Sequence, residues 1–326
     1  MKEVSIIIPR NGLLAAIGDS RYMFTMVNEF LRQAGKPAAF NVNLVALTSE
    51  VKLNNGLYSI KADFLVKDIE QTDLIIIPSM SGDMVTAMVL NLDYNKWLVE
   101  QYKKGSEIAS LCVGAFILAS SGLLKGKSCA THWQYNYEFM RFFPDVRLVD
   151  DKIITDQSGL YSSGGSSSYW NLLLHLVEKY TDRETAIMAS KYFALDIGRN
   201  SQSAFAIFRG QKDHDDDEIK KAQEYIEQQY AEKLTVDQIA TKFAIVRRTF
   251  ERRFKKATCN TVVEYIQRVR IEAAKKQFEV GRKTVNEVMY DVGYTDSDAF
   301  RNVFKGISGM SPIEYRGKYN KVAILK

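Results

Sequence analysis

The hydrophobic and polar positions of this chain fall into three regimes. In the first two-thirds, short apolar runs rich in β-branched residues alternate with longer amphipathic stretches. VSIII (Val4 to Ile8), VNLVAL (Val42 to Leu47), DLIIIPS (Asp73 to Ser79) and EIASLC (Glu107 to Cys112) are separated by segments such as SRYMFTMVNEFLRQAG, which Gly35 closes. Continuous apolar runs suit strands buried on both faces, and the 3.6-residue period between them suits helices laid over those faces. The rhythm predicts an α/β domain over residues 1–199, a parallel sheet sandwiched by helices. YWNLLLHLVEKY and ETAIMASKYFALDI form the helical pair that ends it.

Periodicity then lapses. The stretch GRNSQSAFAIFRGQKDHDDDE is polar, dotted with Gly and Ser, and predicts a linker over residues 200–217. Its closing DDDE offers an N-cap and first-turn carboxylates to the next helix. From residue 218 to 326 the pattern is helical throughout, which predicts a second, all-α domain.

That second domain repeats itself. TVDQIATKFAIVRRTFERRFKKATCNTVVEY (Thr235 to Tyr265) matches TVNEVMYDVGYTDSDAFRNVFKGISGMSPIEY (Thr284 to Tyr315), with Phe250, Phe254 and Tyr265 falling on Phe300, Phe304 and Tyr315. Each copy reads as helix, break, helix. Gly293 stands where the first helix of the second copy must end, and Asp296 or Ser297 is placed to cap the next. In the second helix of each copy the Phe pair shares an inner face, leaving Arg248, Glu251, Arg252 and Lys255, or Ala299, Asn302 and Lys305, turned outward. An apolar face clamped to a support and a polar face left free are what a helix-turn-helix reader of DNA needs. VVEYIQRVRIEAAKKQFE, between the copies, has helical period and no breaker; its length of roughly 27 Å suits two readers in successive major grooves.

Charge sharpens this picture. The chain carries a net +5, but residues 218–326 hold 22 Lys and Arg against 14 Asp and Glu, a net +8, while the remainder is −3. A polyanion partner is therefore expected for the second domain alone. Three cysteines without a CxxC and three histidines support neither a disulfide framework nor a zinc cage, so no metal or cofactor is expected. No run approaches the roughly 20 apolar residues that span a bilayer, and MKEVSIIIPRNG is too short an apolar stretch for a signal peptide. A cytoplasmic location with no membrane contact is the expectation.

One further stretch carries candidate chemistry. In EIASLCVGAFILASSGLL, Ser110 and Gly114 flank Cys112 at two residues on either side, the small-x-Cys-x-small spacing of a strained strand-to-helix elbow. Such an elbow lies at the carboxyl ends of the strands, where ligands of open α/β sheets bind.

Two resemblances follow from these motifs. Glu218 to Lys318 resembles the AraC-type DNA-binding domain, most specifically in RVRIEAAKKQFE and VGYTDSDAFRNVFKGISGMSPIEYR. It departs from the usual pattern at Val246, where Ser is common, at Cys259 and Val262, where Gly and Pro are common, and at Met289, where a small residue is usual. The resemblance implies base readers at Arg248, Glu251, Arg252, Ser297, Asp298 and Asn302. Arg247, Lys255 and Lys305 are the expected phosphate contacts, which set affinity rather than sequence.

Most of Lys2 to Arg199 resembles the class I glutamine-amidotransferase-like superfamily of the PfpI type, strongest in LCVGAFILASSGLLKGKSCATHW and YSSGGSSSYWNLLLHLVEKY. There an elbow Cys pairs with a His, and Cys112 and His132 stand at the matching positions. A neighbouring His and helix N-terminus are expected to lower the thiol pKa. The acid that the resemblance places after the first strand falls on Ala15, with Asp19 a full turn further on. The expectation is a relic site and no enzyme; the alternative is a Cys-dependent hydrolase or amidase using Cys112 and His132. Together the resemblances imply a homodimeric transcription regulator of double-stranded DNA. Its first domain senses a small-molecule effector, through a pocket lined by Cys112, Val113, His132 and Gly164, or mediates dimerisation; a constitutive DNA-binding dimer is the plainer variant.

Overall fold

The computed structural model describes residues 1–199 and 201–320, so Asn200 of the expected linker and the last six residues of the expected second domain lie outside the described residues. The chain divides into two compact units after Gln202.

In the first unit the elements run β1 (Lys2–Ile7), α1 (Leu14–Gln33), β2 (Phe40–Ala46), β3 (Glu50–Leu53), β4 (Tyr58–Lys61), β5 (Phe64–Leu65), β6 (Leu74–Ile77), α2 (Met84–Val89), α3 (Tyr94–Lys103), β7 (Glu107–Ser110), α4 (Ala115–Ser120), β8 (Ser128–Cys129), α5 (Asn136–Phe142), β9 (Arg147–Leu148), β10 (Ile154–Gln157), β11 (Leu160–Ser163), α6 (Tyr169–Tyr180) and α7 (Arg183–Tyr192). Seven strands form one sheet in the order β10-β11-β7-β6-β1-β2-β5, parallel except for β10, which runs antiparallel to β11. The β3–β4 hairpin and the β8–β9 pair are separate.

Strand pleating distributes the apolar runs between two cores. Val4, Ile6, Leu74 and Ile76 point to a core closed by α1, α6 and α7; Ile7, Ile75 and Ile77 point to the opposite one, closed by α2 to α5. A run such as Leu74–Ile77 must be apolar at every position because both faces are covered. The last helix of the unit ends at Tyr192, earlier than its periodicity predicts, and Ala194 turns the chain with a left-handed φ of 52°.

The second unit holds α8 (Asp217–Gln228), α9 (Val236–Lys242), α10 (Arg247–Thr258), α11 (Val262–Val280), α12 (Val285–Asp291), α13 (Ser297–Ser308) and α14 (Pro312–Tyr319). It has one core per repeat. Ile219, Ile226, Ile239, Phe250 and Phe254 make the first; Val288, Met289, Phe300, Phe304 and Tyr315 make the second. The helix α11 serves both, giving Val262, Tyr265 and Ile266 to the first and Ile271, Ala274 and Phe278 to the second.

The stretch expected as a linker is mostly part of this unit. The Lys275 ammonium donates to the Ala206 carbonyl, the Tyr319 hydroxyl to the Ala204 carbonyl at 3.3 Å, and the Phe208 amide to the Glu272 carboxylate at 3.2 Å. Its polar composition reflects this hydrogen bonding rather than free chain. Of the acidic run, Asp216 caps α8, its carboxylate accepting from the Ile219 amide.

Candidate functional site

The two repeats are built by the same local chemistry. Thr235 with Gln238, Thr261 with Glu264, Thr284 with Glu287 and Ser311 with Glu314 form four reciprocal capping boxes at the starts of α9, α11, α12 and α14. Tyr265 donates to Glu227 and Tyr315 to Glu279, both at 2.6 Å. Thr258 and Ser308 close α10 and α13 by donating to the Phe254 and Phe304 carbonyls. The turns between helices put Ala244 and Gly293 in the left-handed region, at φ 53° and 82°. A side chain at Gly293 would come within 2.4 Å of the Ala231 carbonyl, so the second copy has no alternative to glycine there.

Every expected contact residue lies on α10 or α13. Arg247, Arg248, Glu251, Arg252 and Lys255 of α10 are exposed, as are Asp298, Asn302 and Lys305 of α13, while Ser297 is half-buried. Between the two candidate caps the structure selects Asp296, whose carboxylate accepts from the Asp298 and Ala299 amides at 2.9 and 2.7 Å. The equivalent cap of α10 is Val246, which makes no side-chain bond and is 76% exposed. Arg247 is engaged within the unit, by Asp237 at 2.8 Å and Glu251 at 3.3 Å, and Asp298 lies 3.7 Å from Arg301. Arg301 and Lys256 are also exposed on these helices and escaped the sequence reading; the i, i+3, i+4 pattern of the Phe residues was the available signal. Arg253 faces the support instead, gripping Asp216 through two hydrogen bonds at 2.9 and 2.6 Å and holding that carboxylate below its ordinary range. The spacer α11 has 19 residues, about 28 Å of helix.

The elbow in the first unit has the expected backbone. Cys112 follows β7 with φ 56°, and a side chain at Gly114 would approach the Ile77 and Pro78 carbonyls to 2.5 and 2.7 Å. Only glycine permits that crossing beneath the end of β6. The Cys112 amide donates to Ser163 Oγ at 3.0 Å, and the Cys112 carbonyl accepts from Thr131 Oγ1 at 3.1 Å.

Its electrostatics are the reverse of the expectation. Cys112 is 3% exposed, and burial pushes its thiol up, against a smaller lowering by hydrogen bonds from Ser79 and the Val113 amide. Burial likewise lowers His132. Among the described residues no hydrogen bond joins the two; His132 Nδ1 accepts from the Gln134 amide at 3.2 Å. Both shifts favour the neutral groups over an ion pair of thiolate and imidazolium. Ala15 is exposed on α1, and Asp19, one turn on, accepts from Tyr169 Oη at 2.6 Å. Val113 is buried beside Cys112. Gly164 does not border open space: a side chain there would lie 2.6 Å from the Gln202 amide, which fills the position. Tyr169, Ser79 and Gln202 escaped the sequence reading because each comes from a distant segment, whereas Ser163 is one of the serines around Gly164 that the reading placed at the pocket. Among the described residues no group of three or more His, Cys, Asp and Glu could hold a metal, and no helix is long and apolar enough to cross a membrane.

Comparison with known proteins follows this division. Residues 239–318 match the family model of the helix-turn-helix domain, and residues 19–179 that of the DJ-1/PfpI family. The HTH-type transcriptional regulator GbdR of Pseudomonas aeruginosa is 24% identical over 221 residues, 68% of this chain and 60% of that protein. The chain thus spans about 60% of that relative's length. The HTH-type transcriptional regulator CdhR of Pseudomonas aeruginosa is 22% identical over 281 residues, 82% of this chain and 78% of its own. A solved ThiJ/PfpI family protein from Pseudomonas syringae, 16% identical, superimposes over 60% of this chain and 75% of its own with a TM-score of 0.50, which shows the fold of the first unit.

Proposed function

We propose that this chain, whose residues 19–179 match the DJ-1/PfpI family and whose residues 239–318 match a helix-turn-helix domain, is a sequence-specific DNA-binding transcription regulator of the AraC type, acting in the cytoplasm as a homodimer. The observation that carries the reading is the pair of equivalent helices α10 and α13, each clamped by a Phe pair and each presenting an exposed polar face, held on one 19-residue spacer. Arg248 and Arg252 suit guanine O6 and N7, and Asn302 suits adenine; each such pair discriminates by about 1–3 kcal/mol. Glu251, Ser297 and Asp298 complete the base-reading set. Arg247, Lys255 and Lys305 neutralise phosphates.

The α/β domain is the effector-sensing or dimerising part, with the elbow around Cys112, Val113 and His132 as its ligand site. A Cys-dependent hydrolase is the weaker reading, since among the described residues no hydrogen bond joins Cys112 to His132, and burial raises the thiol while making the imidazole a poorer proton acceptor. Equilibrium binding of full-length protein to an operator selected from random DNA tests the proposal. The logarithm of affinity should fall linearly with the logarithm of salt concentration, with a slope of about −3 per protomer for the three phosphate-neutralising cations Arg247, Lys255 and Lys305. Equal, weak affinity for selected and scrambled duplexes would overturn it.

A further inference from the structure

The first unit ends in a fully buried polar residue that the function proposed above does not use. Gln202 is 0% exposed. Its Nε2 donates to the Thr131 carbonyl at 3.0 Å and the Asp150 carbonyl at 3.3 Å, and its Oε1 accepts from the Gly165 amide at 2.8 Å. Its backbone amide donates to the Asp151 carbonyl at 3.0 Å, while the neighbouring Ser201 bridges to Lys152. A buried primary amide with donors and acceptor all satisfied is held in one orientation, because any rotation strands a polar group away from water.

Thr131, which receives Gln202, is also the residue that holds the elbow. Its hydroxyl donates to the Cys112 carbonyl, and it is itself fully buried. Gln202 further occupies the space beside Gly164, on the loop that leads from Ser163, the acceptor of the Cys112 amide, into α6. The two hydroxyls that hold the peptide groups of Cys112 therefore belong to Thr131, whose carbonyl accepts from Gln202, and to Ser163, two residues before the Gly165 amide that Gln202 accepts from.

The other side of Gln202 is equally constrained. The next residue, Ser203, begins the second unit, and Ala204 and Ala206 give their carbonyls to Tyr319 of α14 and Lys275 of the spacer helix α11. A single residue, Ser203, separates Gln202 from Ala204, the first anchor of segment 203–206.

We propose that Gln202 is a positioning residue that couples the Cys112 elbow to the DNA-binding unit: a change at the elbow shifts Thr131 and the Gly164–Gly165 loop, loosens the Gln202 amide, and alters the hold of segment 203–206 on α11. The proposal rests on the reading of the elbow as a sensing site, and it is a two-state argument in which both ends bias one hydrogen-bonded element. Coupling of this kind is demonstrated by non-additivity, not by adjacency.

The test is hydrogen exchange of the full-length chain, followed at the amides of Ala206 and Phe208 and at Gly165, for Thr131→Val, Gln202→Leu and the double variant. Thr131→Val should speed exchange at Ala206 and Phe208 by about fivefold, the factor expected for one lost hydrogen bond. The same substitution should add nothing once Gln202 is Leu. Thr131→Ser, which keeps the hydroxyl, should exchange like the parent protein. Gln202→Glu, which keeps the acceptor for Gly165 but loses the donors, should protect Gly165 while still releasing Ala206 and Phe208. Unchanged exchange at 206 and 208 in Thr131→Val, or effects that simply multiply in the double variant, would overturn the coupling. Protection of β1 and β6 reports whether each variant is folded; if both Val and Leu variants unfold, the Thr131→Ser and Gln202→Glu pair decides. Operator binding by the same proteins separates the two proposals: absence of any sequence preference in the parent protein sinks the regulator reading and leaves the exchange result standing.

Discussion

Cys259 and Gly309 occupy the same place in the two repeats, and both close their helix in the left-handed region, at φ 58° and 71°. The Cys259 amide donates to the Lys255 carbonyl as the Gly309 amide does to Lys305. For a residue with a Cβ this conformation costs roughly 1–2 kcal/mol, which glycine escapes. Cys259→Gly should therefore stabilise the second unit by about 1 kcal/mol, read from a chemical-denaturation midpoint. Ala244→Gly, at the left-handed turn of the first repeat, should act in the same direction.

Arg247 illustrates a charge that is present but occupied. It is shared between Asp237 and Glu251, both exposed. Asp237→Asn removes one competitor and one negative charge close to the expected phosphate path. Operator affinity should rise about two- to fivefold at low salt, with the gain shrinking as salt screens it. Titration at two ionic strengths checks the sign.

The pair Glu272 and Lys275 is nearly inaccessible, 3.1 Å apart on one turn of α11. Lys275→Met would leave a buried carboxylate with, among the described residues, the Phe208 amide as its remaining hydrogen-bond partner, and should destabilise the second unit by about 3 kcal/mol. Adding Glu272→Gln should recover part of that loss, because the remaining group is then neutral. Thermal unfolding of the single and double variants measures both.

Cys129 gives a pH signature. Full burial pushes its thiol from 9.0 up to about 12. The folded state holds that proton more tightly than the unfolded chain, so the stabilising contribution is complete below pH 9 and is lost as pH rises from about 9 towards 12. Cys129→Ala should flatten the fall in stability between pH 9 and 11 relative to the parent protein. Equal slopes for the two would show that other groups carry it.

What could be read in the sequence was local. The runs Val4–Ile8 and Asp73–Ser79 give β1 and β6 because buried parallel strands tolerate no polar face, and the Phe250/Phe254 and Phe300/Phe304 spacing gives α10 and α13 because only an i, i+4 pair lies on one helix face. The elbow was legible from Ser110 and Gly114. Its chemistry was not, since the direction of the Cys112 shift depends on how deeply Ser79, Thr131 and Ser163 enclose it. The linker misled for a related reason: a polar, aperiodic stretch and a stretch whose polar backbone is satisfied by Lys275, Glu272 and Tyr319 look alike until the partners are in place. Asp19 stands one turn beyond the expected position in the sequence, but its partner Tyr169 lies 150 residues away.

The proposed function requires two helix-turn-helix repeats to read DNA within one protomer. Sequences bound by the full-length protein should be selected from random duplex DNA, once with the parent and once with Asn302→Ala. The predicted result is a motif with two blocks of base preference about one helical turn apart, of which Asn302→Ala blurs one and spares the other. A motif with a single block unaffected by the substitution, or no enrichment at all, would contradict it.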